Sequence, residues 1–266
     1  MRLLIHSGFH KTGTSSLQHG LRDNRRELEP HIRIILYEDI TTVVDAARDF
    51  SADRTPEKLR RFCMRVNGFM KTLSPSDPRP VAISSEDFCG HMPGREGLSS
   101  YTAAPILMRA LTMTTQETLG HDTDLSLMLS LRTSESWLKS CYAQHLRVIR
   151  MIDPWAIYAK TYISSADLNS IADRIEAQIG RLPLIRTWLE DSKARPLGPL
   201  TPFLDALGLP LDIQAKLDAP DQANPQEPQE LQDLYLEANQ SEMSDQDVRD
   251  AKVAARLVWL ENCHHV

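Results

Sequence analysis

The chain is 266 residues long, 41% hydrophobic and 25% charged, with a formal net charge of -6. These values suit a soluble globular protein of one large α/β domain, and the acidic balance argues against a dedicated nucleic-acid binder while leaving room for a local basic pocket. No apolar run approaches the ~20 residues of a membrane span, no signal-peptide pattern opens the chain, and Cys63, Cys89, Cys141 and Cys263 stand far apart with no CxxC pair. The cysteines read as thiols of a reducing compartment, so the expectation is a cytoplasmic protein without a metal centre.

In chain order, the first expected strand is Arg2 to His6, followed by a helical pattern from Gly13 to Leu28 and a second strand from Ile32 to Tyr37. A helix from Pro56 to Leu73 ends at the proline-rich turn "SPSDPRP", which sets up a third strand from Pro80 to Ser85. Just beyond it, "CGHMPGREGLSS" (89–100) reads as a mobile loop. Helix Ala103 to Thr118, strand Asp124 to Leu131, helices Ser134 to Arg150 and Asp167 to Ile179, and strand Leu182 to Trp188 come next. Strand alternating with helix predicts an α/β fold with a central parallel sheet flanked by helices on both faces. A polar connector at 218–230 leads to "LQDLYLEANQ" and "DVRDAKVAARLVWLEN", read as a C-terminal helical appendage spanning 231–266. One domain, 1–266, is expected.

The stretch "IHSGFHKTGTSSLQ" (5–18) carries the first chemistry. Gly8 and Gly13 let a loop turn its amides toward an anion, the following helix adds its positive end, and Thr14, Ser15 and Ser16 supply hydroxyls there. Lys11 brings an ammonium. A triphosphate loop of the GxxxxGK[ST] type would carry lysine directly after the second glycine, and here Thr14 stands in that place. No strand ends in an apolar run followed by aspartate that would hold magnesium in the usual manner. The plainer reading is a glycine turn followed by a well-capped helix.

A second cluster lies at "LSLRTSESWLKSCYAQHLR". Leu125, Leu127, Leu129 and Leu131 alternate as in a strand, and Arg132 stands at its carboxyl end, where a guanidinium can grip a phosphate through two parallel bonds. Thr133 or Ser134 offers a helix cap, and Ser140 lies two turns into the helix.

Together these motifs resemble those of PAPS-dependent sulfotransferases, PAPS being 3′-phosphoadenosine 5′-phosphosulfate. "HKTGTSS" is similar to the family's proline-lysine-serine-glycine-threonine-threonine loop, and "RTSESWLKS" to its 3′-phosphate motif of an arginine with a serine eight positions later. "LIRTWLEDSKARPLGPLTPFLDALGLP" resembles a segment many members carry after their fourth or fifth strand, so the likeness runs from about residue 2 to about residue 210. The resemblance implies a phosphate-loop fold and donor binding by Lys11, Thr12, Gly13, Thr14 and Ser15. It also implies 3′-phosphate contacts from Arg132 and Ser140, with no metal required. His10 replaces the family's proline, and the arginine-lysine-glycine segment of its cytosolic members is missing. The first departure loosens one turn constraint, and the second suggests a bacterial or carbohydrate-type branch.

Sulfuryl transfer needs a base for the acceptor's proton. Glu86, at the end of "VAISSEDF", falls beyond a strand's carboxyl end like Ser7 and Arg132, where ligands of open α/β sheets bind. It is the first candidate, the alternative being a carboxylate that caps the turn. His10, beside Lys11, is the second candidate and could equally pack under the loop; Asp87 reads as a cap. His145 fits a half-buried helix position, Trp137 either stacks on adenine or fills a helical core position, and His264 and His265 read as solvated. Trp155, Tyr158, Lys160 and Tyr162 suit a sugar or anionic acceptor, or else form the packed side of a helix. The expected partner is a small-molecule or carbohydrate acceptor. A small-molecule kinase using ATP and magnesium, and a non-catalytic nucleotide-binding protein of the same fold, are the competing readings.

Overall fold

The computed structural model describes residues 1–219 and 227–263. Five strands, β1 (Arg2–His6), β2 (Arg33–Ile35), β3 (Val81–Ser84), β4 (Asp124–Leu131) and β5 (Leu184–Trp188), form one sheet in the order β2-β3-β1-β4-β5. Every neighbouring pair is parallel. The helices are α1 (Thr14–Asp23), α2 (Arg25–Leu28), α3 (Thr41–Ala52), α4 (Pro56–Met70), α5 (Ala104–Leu119), α6 (Ser134–Val148) and α7 (Trp155–Tyr162). They continue with α8 (Leu168–Ile179), α9 (Leu189–Ser192), α10 (Leu200–Leu207), α11 (Leu211–Gln214), α12 (Gln229–Gln240) and α13 (Asp245–Cys263).

Strand β1 lies at the centre, and Leu3, Leu4 and Ile5 are at most 1% exposed, which is why "LLI" reads as a continuous apolar run rather than an alternating one. Each such side chain stabilises the fold by about 1.5–3 kcal/mol. One face of the sheet, with Leu4, Ala82 and Met128, packs against Leu17 and Leu21 of α1 and Leu200, Phe203, Leu204 and Leu207 of α10. Across the other, α3, α4, α5 and α8 pack on one another in series.

The chain separates into two compact units. The first comprises residues 1–133 and 167–223 and contains the whole sheet; the second comprises 134–166 and 224–266. In the second, α6, α7, α12 and α13 gather around a polar knot. Lys252, 4% exposed, donates to the carbonyls of Leu146 and Ile149 and to Asn239 Oδ1 at 2.9–3.0 Å, capping the end of α6. Buried Glu227 joins Arg147 at 2.9 Å and Arg256 at 3.1 Å.

Three sequence expectations are corrected. The helix expected over 13–28 breaks at Asn24, whose amide donates to the Gly20 carbonyl and, at 2.9 Å, to Asp218 O. A side chain that bonds the backbone in this way competes with helix continuation. The second strand is only three residues long, because Tyr37–Asp39 coil into a 3-10 turn closed by Asp39 on the Leu36 amide. Helix α3, absent from the pattern reading, opens on four β-branched residues with no side-chain cap, and burial of Val43, Val44, Ala47 and Phe50 holds it. The connector at 218–230 falls largely on residues 220–226, outside those described, as do His264 and His265.

Candidate functional site

Residues 7–13 cross the carboxyl end of β1 at the middle of the sheet. The loop is fastened from below: Ser7 N–H donates to Met128 O at 2.9 Å and Cys89 Sγ to Ser7 O at 3.1 Å. His6, fully buried, bridges the neighbouring strands through Nδ1 to Ser84 Oγ at 2.9 Å and Nε2 to Ser130 Oγ at 2.6 Å. Burial lowers its pKa from 6.5 to about 4, so the ring is neutral near pH 7. The loop rides directly on this ring: a Cβ at Gly8 would lie 2.9 Å from His6 Nε2 and 2.7 Å from Thr14 Oγ1. Gly8 is small because nothing larger fits.

Above this base the backbone turns sharply. Lys11 has φ 67° and Gly13 φ 94°, both in the left-handed region, which is unusual for a lysine. Thr12 is buried and its hydroxyl donates back to Phe9 O at 2.5 Å. Gly13 precedes α1 without any side-chain cap. By contrast, Thr55 caps α4 and Asp167 caps α8. The first-turn amides of α1 therefore keep their capacity for an external acceptor. Thr14 is buried, Ser15 exposed and Ser16 half-buried. The hydroxyls of Ser7 and Thr14 are buried with no hydrogen-bond partner among the described residues. Orphaned donors of this kind beside an uncapped helix end suit an oxyanion.

Arg132 reaches this loop from β4. Its guanidinium donates to Lys11 O at 3.1 Å. The end of β5 closes the same corner. Glu190 accepts from the Thr133 amide at 3.1 Å and its hydroxyl at 2.9 Å, and a Cβ at Gly13 would lie 2.7 Å from Leu189 Cδ1. Burial alone would raise the pKa of Glu190, but its own backbone amide, the bonds from Thr133 and the charge of Arg132 prevail and lower it. Ser140, paired with Arg132 in the sequence reading, sits half-buried on α6 of the second unit.

From β3 comes a third group. Glu86 opens a 3-10 turn (Glu86–Cys89) and is half-buried, with Oε2 accepting from Gln18 Nε2 on α1 at 3.1 Å. The same amide also reaches Ser84 O at 3.3 Å. Ser85, not Asp87, caps this turn, accepting from the Asp87 amide. Asp87 instead is buried in an ion pair with Arg48, through Nε at 2.9 Å and Nη2 at 2.8 Å, and lies 3.3 Å from His10 Nε2. His10 Nδ1 is 3.0 Å from the hydroxyl of Tyr101.

In the second unit, Trp137 and His145 are buried, and His145 Nδ1 lies 2.9 Å from Tyr158 Oη. Tyr158 packs against Tyr142, Trp155 and Tyr162. The aromatic side of α7 is thus turned inward, while Lys160 is exposed.

Gln18, Tyr101, Arg48 and Glu190 are site residues that the sequence does not single out. Only the i+4 placement of Gln18 beyond Thr14, on the loop-facing side of α1, offered a signal.

A first strand that runs through a glycine turn into a helix, at the centre of a parallel β2-β3-β1-β4-β5 sheet, defines a fold of the phosphate-loop type. The chain is similar to the crystal structure of a sulfotransferase from Alicyclobacillus acidocaldarius, with a TM-score of 0.50 and 15% identity over 90% of this chain and 92% of that one. At that identity the likeness is one of fold. No family model matches the sequence, and no curated protein does.

Proposed function

We propose that the protein is a sulfotransferase that moves a sulfuryl group from PAPS to a hydroxyl or amine of a small-molecule or carbohydrate acceptor. The observation that carries this reading is the meeting of Arg132 with the Lys11 loop, where buried Ser7 and Thr14 hydroxyls have no partner among the described residues. A cation from β4, a lysine, idle hydroxyls and an uncapped helix end are four kinds of oxyanion donor at the adjoining ends of β1 and β4. The sequence resemblance and the fold of the bacterial neighbour support the same class.

In this proposal Lys11, Thr12, Gly13, Thr14 and Ser15 hold the 5′-phosphosulfate, and Arg132 holds the 3′-phosphate. The bound donor supplies the sulfuryl group and departs as adenosine 3′,5′-bisphosphate. Lys11 and the α1 amides neutralise the charge that develops on the departing phosphate oxygen, without a metal. Glu86 takes the acceptor's proton as the new bond to sulfur forms. The contact from Gln18 to one carboxylate oxygen fixes the orientation of the side chain, which suits a base. The cytoplasm is the setting we assign, and the bacterial or carbohydrate-type branch is the one we favour.

The test is thermal denaturation with adenosine 3′,5′-bisphosphate, against ATP plus magnesium. Stabilisation by the bisphosphate alone, lost in Lys11→Ala and Arg132→Ala, is expected. Stabilisation by ATP with magnesium and not by the bisphosphate would overturn the proposal in favour of a kinase. Labelled donor with a panel of acceptors then identifies the acceptor class, and Glu86→Gln should abolish turnover while leaving bisphosphate binding intact.

A further inference from the structure

The position before Lys11 holds a histidine, and it is fastened at three points. The His10 amide donates to Tyr101 Oη at 3.2 Å, Nδ1 lies 3.0 Å from the same oxygen, and Nε2 lies 3.3 Å from Asp87 Oδ1. Asp87, 5% exposed, is gripped through both oxygens by Arg48, which itself stands over the ring of Tyr37. Burial by itself would raise the Asp87 pKa; the His10 bond and the Arg48 charge prevail and keep it ionised.

In the neutral ring, an ionised carboxylate at Nε2 takes the proton there and leaves Nδ1 as the acceptor. Tyr101 then donates its hydroxyl proton to Nδ1 while its oxygen accepts the His10 amide. The phenol ring, buried on Phe9 with centroids 4.9 Å apart, cannot swing away without opening the core. Immediately after this fastened residue, Lys11 adopts its left-handed φ of 67°. Such a conformation in a lysine persists only where the surroundings impose it.

We propose that Asp87, His10 and Tyr101 form a positioning relay: Asp87 selects the His10 tautomer, Tyr101 clamps the His10 backbone, and the pair hold Lys11 in the left-handed turn that aims its ammonium into the anion cradle. The relay rests on the reading of that loop as a donor site. It assigns His10 to positioning and leaves the proton of the acceptor to Glu86. At the position where the motif that this loop resembles has proline, the hydrogen-bonded clamp would take the place of a ring closure as the restraint on the turn.

The experiment uses the full chain labelled with 15N and 13C, in wild-type, Asp87→Asn and Tyr101→Phe forms. Tyr101→Phe keeps the ring packing and removes only the hydroxyl. Histidine 15N shifts should show His10 of the wild type as the Nε2–H tautomer, and Asp87→Asn should disturb that signature. Both variants should move the 13Cα and amide shifts of Lys11 and Gly13, and weaken adenosine 3′,5′-bisphosphate roughly ten- to a hundredfold. Unchanged His10 and Lys11 shifts in both variants would overturn the relay, whatever the affinity. If the wild type binds no bisphosphate, the donor reading fails, and the relay is judged by the shifts alone. If the variants lose fold as well as binding, as judged by dispersion of signals across the sheet, Asp87→Glu serves instead: rescue of the Lys11 shifts by the retained carboxylate supports the relay, and no rescue overturns it.

Discussion

The guanidinium of Arg132 donates to the carbonyl oxygen of Lys11 at 3.1 Å, across 121 positions of sequence. The contact spends one of the arginine's donors on the loop and thereby orients the planar fork. Arg132→Ala should lower stability by about 2 kcal/mol through the lost hydrogen bond to Lys11, with the loss of its charge beside Glu190 adding to that. Bisphosphate-dependent stabilisation in a thermal melt should nevertheless vanish. Arg132→Lys should recover little of it, because an ammonium cannot reproduce the fork.

Gly13 carries two constraints at once, a φ of 94° and a neighbour, Leu189 Cδ1, that a Cβ would approach to 2.7 Å. Gly13→Ala should cost about 1–3 kcal/mol in urea unfolding. Pairing it with Leu189→Ala should relieve the steric part only, which separates crowding from backbone strain. A Gly13→Ala protein as stable as wild type would contradict the loop geometry.

His6 links the site to pH. Its folded pKa is lowered from 6.5 to about 4 by burial, so between these values the unfolded chain binds the proton and the native one does not. Stability should therefore fall as pH drops from 6.5 toward 4, by on the order of 3 kcal/mol from this residue. Denaturant titrations at several pH values check it: His6→Gln should be less stable at pH 7 and should flatten the dependence in that window. An equally steep dependence in the variant would assign it to other groups.

Cysteine labelling tests the burial pattern. Cys63 is partly exposed, while Cys89 and Cys141 are buried, and burial pushes the Cys89 thiol well above its ordinary range. Brief alkylation of the native protein at pH 8, read by peptide mass mapping, should modify Cys63 and spare Cys89 and Cys141 until denaturant is added. Modification of Cys89 at the rate of Cys63 would show that the turn after β3 does not sit on Ser7.

In the second unit, Lys252→Met should destabilise by about 2–3 kcal/mol, because the carbonyls of Leu146 and Ile149 and the amide of Asn239 lose their common donor. Urea unfolding measures it. Loss of less than a few tenths of a kcal/mol would mean that water replaces the ammonium.

Much of this was legible in the chain. The strands were readable because a parallel sheet buries both faces, so that "LLI" and "VAI" are short apolar runs bounded by turns, and because "LSLMLSL" alternates its leucines with the period of a strand. The loop was readable because glycines, a lysine and hydroxyls stand within ten residues of one another. Helix α3 was not, since "TTVV" has poor intrinsic helical preference and only the packing of its apolar face holds it. Asp87 was read as a cap because acidic residues favour helix starts; its partner Arg48 is 39 positions away, and no local pattern reveals such a pair. The same holds for Tyr101, 91 positions from His10.

The corner formed by Leu189, Glu190 and Gly13 has a consequence for biosynthesis. The cradle is spelled out between residues 7 and 16, yet its last wall comes from the segment after β5 reaching Pro199, which also borders Gly13 and lies more than 170 positions later in the order of synthesis. A nascent chain halted before that point would expose an unfinished loop. On the donor-site proposal, bisphosphate affinity would be acquired late and abruptly during translation, marking the moment when the fifth strand docks.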